Sequence, residues 1–385
     1  MSRSKGRFAH LDMLRGLAAL GVVVGHARGF IVVQYAVAPS DALGVQLFYF
    51  ITGLGHQCVL AFFALSGYLV GGGALRNIRD GDWCLSQYML RRLVRLWMVL
   101  VPALFLTWIL DVGGQIVAGP AGYNGAYFDL IASGPQKSNP ADLSLLTFVA
   151  NVMFLQTIIT PVFGSNGPLW SLANEFWYYV IFPLIAQALV GRGAVTPRVL
   201  QGCIGVAVAM LLPLEMLLLG GIWVAGAVAG YFTDRLARHL ISGAWLILFV
   251  GVIAAFLVLN KLWPGLLSDL LLGLAFAALL PVLTLLPQFG IAYDRIGGGM
   301  AAISYTLYAT HFPLLTFVWF VALAPDKWPL GLTAMCLMAA FLSAALAVAT
   351  AMWWLFERNT DRFRRQLEAW LTIGGPRSPQ GKAWG

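Results

Sequence analysis

Charge is scarce in this chain. Of its 385 residues only 10% are Asp, Glu, Lys or Arg, against 60% hydrophobic, and the mean hydropathy is +0.80. Soluble globular domains carry about 25% charged residues, so the composition excludes an ordinary cytosolic enzyme. Cysteine is scarce as well. Cys58, Cys84, Cys203 and Cys336 lie far apart with no C-x-x-C spacing, which excludes a disulfide framework and a cysteine-built metal site. No internal repeat of about 20–50 residues is visible, so a solenoid or array is excluded too. The net charge of +8 hints at a nucleic-acid partner, but the chain is too apolar for that. Lys and Arg flanking the cytoplasmic ends of membrane spans give the same excess.

What the chain has is long apolar runs. A helix needs about 20 mostly apolar residues to cross the hydrocarbon core. Ten stretches meet that need, near 11–33, 46–72, 92–112, 168–190, 199–219, 221–237, 243–260, 266–287, 299–322 and 331–356. The sequence therefore reads as an all-α polytopic membrane protein, with one membrane domain over 1–370 and a flexible cytoplasmic tail over 371–385. Arg3, Lys5 and Arg7 resemble the start of a signal peptide, but Asp12 and Arg15 interrupt the apolar run and no A-x-A-like site follows promptly. The first span is expected to be retained. The stretch 143–159 is apolar but short and ends at Pro161. If it does not cross, nineteen Lys and Arg fall on one side, against Arg28, Lys137, Lys261 and Lys327 on the other, with Arg15 inside the first span. Counting it as a crossing destroys that asymmetry. It is read as a re-entrant or interfacial helix on the outer face, with both termini cytoplasmic.

Ionisable side chains inside spans are costly and mark functional sites by default. The first span holds Asp12, Arg15 and His26. Arg15 and His26 are 11 residues apart, close to three turns, so they share one face at a separation of roughly 16 Å. Asp12 lies one turn from Arg15 and can pair with it. The bland alternative is an interfacial ion pair plus a histidine that bonds a neighbouring helix. In RRLVRLW, Arg92 and Arg95 share a face and Arg91 is adjacent. Orientation alone would place arginines there, yet with Arg76 and Arg79 in the preceding loop they also make an anion site suited to forked phosphate contacts. Glu175 sits among Trp170, Trp177, Tyr178 and Tyr179. An interfacial belt explains the aromatics and leaves the carboxylate unexplained; it is expected on the outer half, either as a site residue or as a structural anchor. Tyr305, Tyr308 and His311 form a loose stripe with Ser304, read either as a packed polar seam or as support for the site.

These segments, in this order, resemble the acyltransferase-3 family of membrane acyltransferases. LDMLRGLAALGVVVGHA is similar to the family's opening L-D-x-L-R-G-x-A…H. AFFALSGYLV is similar to its F-F-x-x-S-G-[FY], here Phe62, Phe63, Ser66, Gly67 and Tyr68. Arg92 and Arg95 supply its R-x-x-R, GPLWSLANEFWYY its W-S-L-x-x-E-x-x-[FY], and ISYTLYATHFPL its late I-S-Y-x-x-Y-x-x-H-x-P. Leu60 and Asn174 depart from the family pattern at positions that bear on the acceptor pocket.

The resemblance implies a multi-pass protein of the bacterial inner membrane with about ten helices. It also implies no permanently bound cofactor, a cytosolic acyl-CoA donor (acetyl-CoA or succinyl-CoA) and a carbohydrate acceptor. Coenzyme A is polyanionic, so its phosphates are expected at Arg92 and Arg95, with Arg91 and Arg15 in support and Ser66 lining the donor channel. Asp12 would fix the Arg15 rotamer. His26 is expected to be the general base, because an imidazole suits proton removal from a hydroxyl near neutral pH. Glu175 is expected to position the acceptor or orient the base. A transporter or flippase using the same polar residues as a substrate path is the competing reading, although no inverted repeat is visible.

Overall fold

The computed structural model describes residues 8–236, 243–287 and 289–370. It is 78% helical, and no β-strand occurs among the described residues. Lipid cannot hydrogen-bond a backbone, so each segment in it must satisfy its own amides and carbonyls, and a helix does so. In chain order the main elements are α1 (Ala9–Ile31), α2 (Leu43–Thr52), α3 (Gly55–Asp80), α4 (Leu85–Ala118), α5 (Phe128–Ile131), α6 (Leu145–Val152) and α7 (Trp170–Val190). They continue with α8 (Val195–Met210), α9 (Leu214–Leu236), α10 (Gly243–Leu262), α11 (Leu266–Leu285), α12 (Ile291–Ala322), α13 (Leu332–Leu355) and α14 (Thr360–Trp370).

Seven helical spans among the described residues are long and apolar enough to cross a membrane: α1, α3, α4, α9, α10, α11, and α13 running on into α14. The other three expected crossings are helices of a different kind. α8 has 16 residues, about 24 Å, short of a hydrocarbon core of about 30 Å. α7 and α12 have the length, at 21 and 32 residues, but polar residues such as Asn174 and Glu175, or Ser304, Thr306 and His311, dilute their apolar character. The expected tail at 371–385 lies outside the described residues.

Two boundaries move, and both matter for the site. The expected span 46–72 breaks at Gly53 and Leu54, so the long helix is α3, from Gly55 to Asp80. Ser66 is therefore near its middle, not at one end. α4 begins at Leu85, which sets Arg91, Arg92 and Arg95 two to three turns inside the helix.

The stretch 143–159 contains only the eight residues of α6, about 12 Å long, too short to cross. Beyond α6 the chain turns at Phe154 and Thr157, both with positive φ, and runs inward with Gln156, Ser165 and Asn166 buried. Irregular backbone at such depth is tolerated only where protein surrounds it.

The core forms around two bodies. α3, α7, α9 and α11 share one hydrophobic cluster, and α1, α12 and α13 share a second. α1 packs most extensively against α12. α3 and α9 cross at backbone contact: a Cβ on Gly67 would meet the Trp223 carbonyl oxygen at 1.9 Å, and one on Gly226 would meet the Ala64 oxygen at 2.2 Å. Small residues allow such approach in lipid, where packing replaces the hydrophobic effect as the driving force. Residues Gly67–Gly71 of α3 form a π-turn at this crossing, immediately after Ser66. The outer surface is apolar. Only 6% of the apolar stretch of α10 is buried, and Ile247, Leu248 and Val250 point outward, as a lipid-facing helix requires.

Candidate functional site

The α1–α12 contact brings two histidines together. His26 Nδ1 lies 2.9 Å from His311 Nε2. His311 is fully buried, and its own Nδ1 faces the carbonyl oxygens of Leu307 at 3.0 Å and Tyr308 at 2.8 Å. A carbonyl only accepts, so His311 Nδ1 carries the proton and His311 Nε2 is left as an acceptor. His26 must then donate from Nδ1, which leaves its Nε2 with a free lone pair. That nitrogen makes no hydrogen bond among the described residues, and His26 is partly exposed, unlike His311. Phe312 packs edge-on against the His26 ring at 4.9 Å between centroids. The result is a partly exposed imidazole with a fixed tautomer, whose Nε2 carries the lone pair.

Three turns along α1 from His26, toward its N-terminus, the character changes. Arg15 lies 3.7 Å from Asp12 and within electrostatic reach of Arg95, Tyr179 and Glu175. Arg92 stands over the Tyr88 ring at 5.9 Å. Neither Arg91, Arg92 nor Arg95 forms a salt bridge among the described residues, and the Nε atoms of Arg91 and Arg92 are buried without a partner. Arg95 is exposed to solvent, although its charged and phenolic neighbours (Arg15, Glu357 and Tyr305) come from three other parts of the bundle. It therefore stands where these elements meet. Arg76 and Arg79 are directed elsewhere: Arg76 donates to the Gly230 carbonyl at 2.6 Å and Arg79 to the Tyr231 hydroxyl.

Glu175 is held by hydroxyls. Ser66 and Tyr179 each donate to its Oε1 at 2.5 Å, and the Trp223 indole donates to Ser66 at 3.1 Å. Two residues that the sequence suggested for opposite ends of the molecule thus form one unit, because the shifted start of α3 centres Ser66 and the buried entry loop sinks the start of α7. Glu175 sits with the arginines and does not touch His26 or His311 among the described residues. Tyr308 ties α12 to the start of α7, donating to Pro168 O at 3.0 Å and meeting Ser171 at 2.7 Å. Tyr305 donates to the Leu96 carbonyl at 3.4 Å.

Sequence reasoning missed two buried carboxylates. Glu357, in the turn after α13, accepts from Thr306 at 2.5 Å beside Arg95 and Arg15; it reads in sequence as a charge at a helix end. Asp111 is fully buried and accepts from the Ser165 amide at 2.6 Å and hydroxyl at 2.7 Å. It was hidden because the third span was expected to end there. With Asn166, which donates to Thr107 and to Ala309 O, Asp111 pins the irregular entry loop into the bundle.

Fold and site together define an integral membrane protein whose few ionisable residues converge inside a helical bundle, with a histidine pair at one level and an arginine cluster at another. Residues 8–354 match the acyltransferase domain family Acyl_transf_3, and the chain belongs to that family. It is also similar to the acyltransferase MdmB of Streptomyces mycarofaciens, at 29% identity over 181 residues. That alignment covers 46% of this chain and 39% of the relative's length. No solved structure matches the chain.

Proposed function

We propose that the protein is a membrane O-acyltransferase of the bacterial inner membrane. It would move an acyl group, acetyl or succinyl, from cytosolic acyl-CoA to a hydroxyl of a surface polysaccharide, glycolipid or glycoside. The observation that carries this reading is the pairing of an imidazole of fixed tautomer with a cluster of arginines of which Arg91, Arg92 and Arg95 form no salt bridge among the described residues. Membership of the acyltransferase family supports it.

Each part then has a role. The phosphates of coenzyme A dock on Arg92, Arg95 and Arg15, where forked guanidinium contacts are strong and directional. Arg91 adds charge, and Asp12 and Glu357 hold the arginines in place. Glu175, anchored by Ser66 and Tyr179, orders the same region and does not orient the base. The pantetheine arm runs along α1 toward His26. There the acceptor hydroxyl gives its proton to His26 Nε2 as its oxygen attacks the thioester carbonyl carbon. The C–S bond then breaks, and the CoA thiolate leaves with that proton, giving an ester and free CoA thiol. His311 acts through His26 and is a positioning residue.

Purified protein in nanodiscs, given acetyl-CoA or succinyl-CoA and glycan extracted from cells lacking the gene, should release thiol and add the corresponding mass to the glycan. Absence of thiol release with either thioester, from protein shown to be folded, would reject the reading in favour of a transporter.

A further inference from the structure

At the end of α1 opposite Arg15 a second group of cations converges. Lys327 and Lys261 both lie within electrostatic reach of Arg28. The Lys327 ammonium donates to Gly29 O at 2.7 Å and Leu130 O at 2.9 Å, and Lys261 donates to Gly53 O. The turn that holds Gly53 lies against α1 at Gly25, since a Cβ there would meet the Thr52 carbonyl at 3.1 Å and Gly55 at 3.5 Å. Arg28 follows His26 by two residues, so it projects from another side of α1 about 3 Å further along the axis, with its guanidinium 5.6 Å from the centre of the Tyr49 ring. Three of the four basic residues that charge asymmetry assigned to the outer side thus meet at the end of α1 beyond His26.

Their anionic counterpart is missing. None of the three forms a salt bridge among the described residues. Asp269, on the adjoining α11, is engaged by His56 at 2.7 Å and Asn260 at 2.7 Å, and Asp326 is exposed and forms no ion pair among the described residues. The two lysines have an ordinary explanation, because an ammonium on the last carbonyls of a helix is favourable. Arg28 does not. Its guanidinium offers five N–H donors, makes no hydrogen bond among the described residues, and buries Nε without a partner there. Burial and the Arg28 charge also push the Lys327 ammonium down to about 8, so the folded protein bears the repulsion in the absence of a counter-ion.

We propose that Arg28, with Lys327 and Lys261, binds a carboxylate or phosphate carried by the acceptor, so that the acceptor is an acidic or phosphate-bearing glycan. This rests on the acyltransferase reading, with His26 facing the donor along one direction and the acceptor's anionic group along the other. The cation–π contact with Tyr49 helps to hold the guanidinium in place.

The test compares methyl β-glucuronide, methyl β-glucoside and methyl β-glucoside 6-phosphate as ligands of the full-length protein in phosphatidylcholine nanodiscs. Binding is read by tryptophan fluorescence with and without saturating CoA. The two anionic probes should bind at least about tenfold tighter than the neutral one, as a charge-assisted hydrogen bond provides. Arg28→Gln should remove that preference while leaving CoA affinity unchanged, and Arg28→Lys should keep part of it. Equal affinity for all three probes, or an unaltered preference in both Arg28→Gln and Lys327→Gln, overturns the proposal. A second arm separates the phosphate sources. Binding of both anionic probes that persists in discs rich in phosphatidylglycerol supports an acceptor site, whereas abolition there assigns the site to lipid headgroups and overturns the acceptor assignment. Failure of the wild type to bind CoA would instead count against the acyl-CoA reading, and the probe preference stays readable without turnover.

Discussion

Replacing His311 by alanine removes the group that fixes the tautomer of His26. In the native bundle the 2.9 Å contact holds the His26 proton on Nδ1 and leaves Nε2 basic. Without the acceptor, that N–H is unpartnered in the packed contact with α12, at a cost of about 1–3 kcal/mol, or the proton moves to Nε2 and removes the base. Each 1.36 kcal/mol is a factor of about ten in rate, so His311→Ala should lower kcat about 10- to 100-fold. Loss of a general base typically costs about 10²–10⁴, and His26→Ala should fall in that range. The discriminating variant is the double replacement. If His311 acts only through His26, the double variant is no slower than His26→Ala, because residues acting as a unit are not additive. The assay is thiol release from acyl-CoA, with CoA affinity measured separately and expected to stay unchanged, since the arginines sit about three turns away along α1. Because His311 is fully buried, its removal leaves a cavity; His311→Gln, which retains volume and a side-chain acceptor, should recover part of the rate at comparable thermal stability. Wild-type turnover in His311→Ala, or a double variant slowed by the product of the two single effects, would refute the relay.

Other consequences follow from the same geometry. Arg92→Ala and Arg95→Ala should each weaken CoA binding about tenfold or more in a titration of purified protein, as loss of a charge-assisted phosphate contact implies, while Arg79→Ala, whose side chain is engaged by Tyr231, should not. Gly67→Val should prevent correct assembly, because its Cβ would lie 1.9 Å from the Trp223 carbonyl and backbone cannot yield there; size-exclusion profiles in detergent would show it. Lys327 is held at about 8, below its ordinary 10.5, by burial and Arg28. The unfolded chain therefore binds more protons between those values, and stability should rise with pH across about 8 to 10. A Lys327→Met variant should lack that component of the rise in thermal melts.

The fold class was legible because a shortage of charge and repeated long apolar runs admit few alternatives. Within the site, local signals transferred well and distances across helices did not. The Arg15–His26 stripe was readable because both residues lie on one uninterrupted helix. The His26–His311 bond was not, since helical spacing says nothing about which of many spans becomes the neighbour. Ser66 and Glu175 were sent to opposite ends because a break at Gly53 and an entry loop folded into the bundle shift helix starts by up to ten residues without altering hydropathy. Asp111 and Glu357 look like charges at helix ends in sequence, and only the packed loop and turn around them make them buried. Arg28, Lys261 and Lys327 were legible as a minority of misplaced charges. Their convergence needed the turn at Gly53 and the approach of the α12–α13 connection to α1.

The central claim is that His26 takes the proton from the acceptor hydroxyl. The direct measurement is single-turnover transfer of a radiolabelled acyl group from acyl-CoA to acceptor glycan by purified wild type and His26→Ala, both verified to bind CoA with equal affinity. The account predicts that His26→Ala binds donor normally and transfers at least about 10²-fold more slowly. Transfer by His26→Ala at the wild-type rate would contradict it.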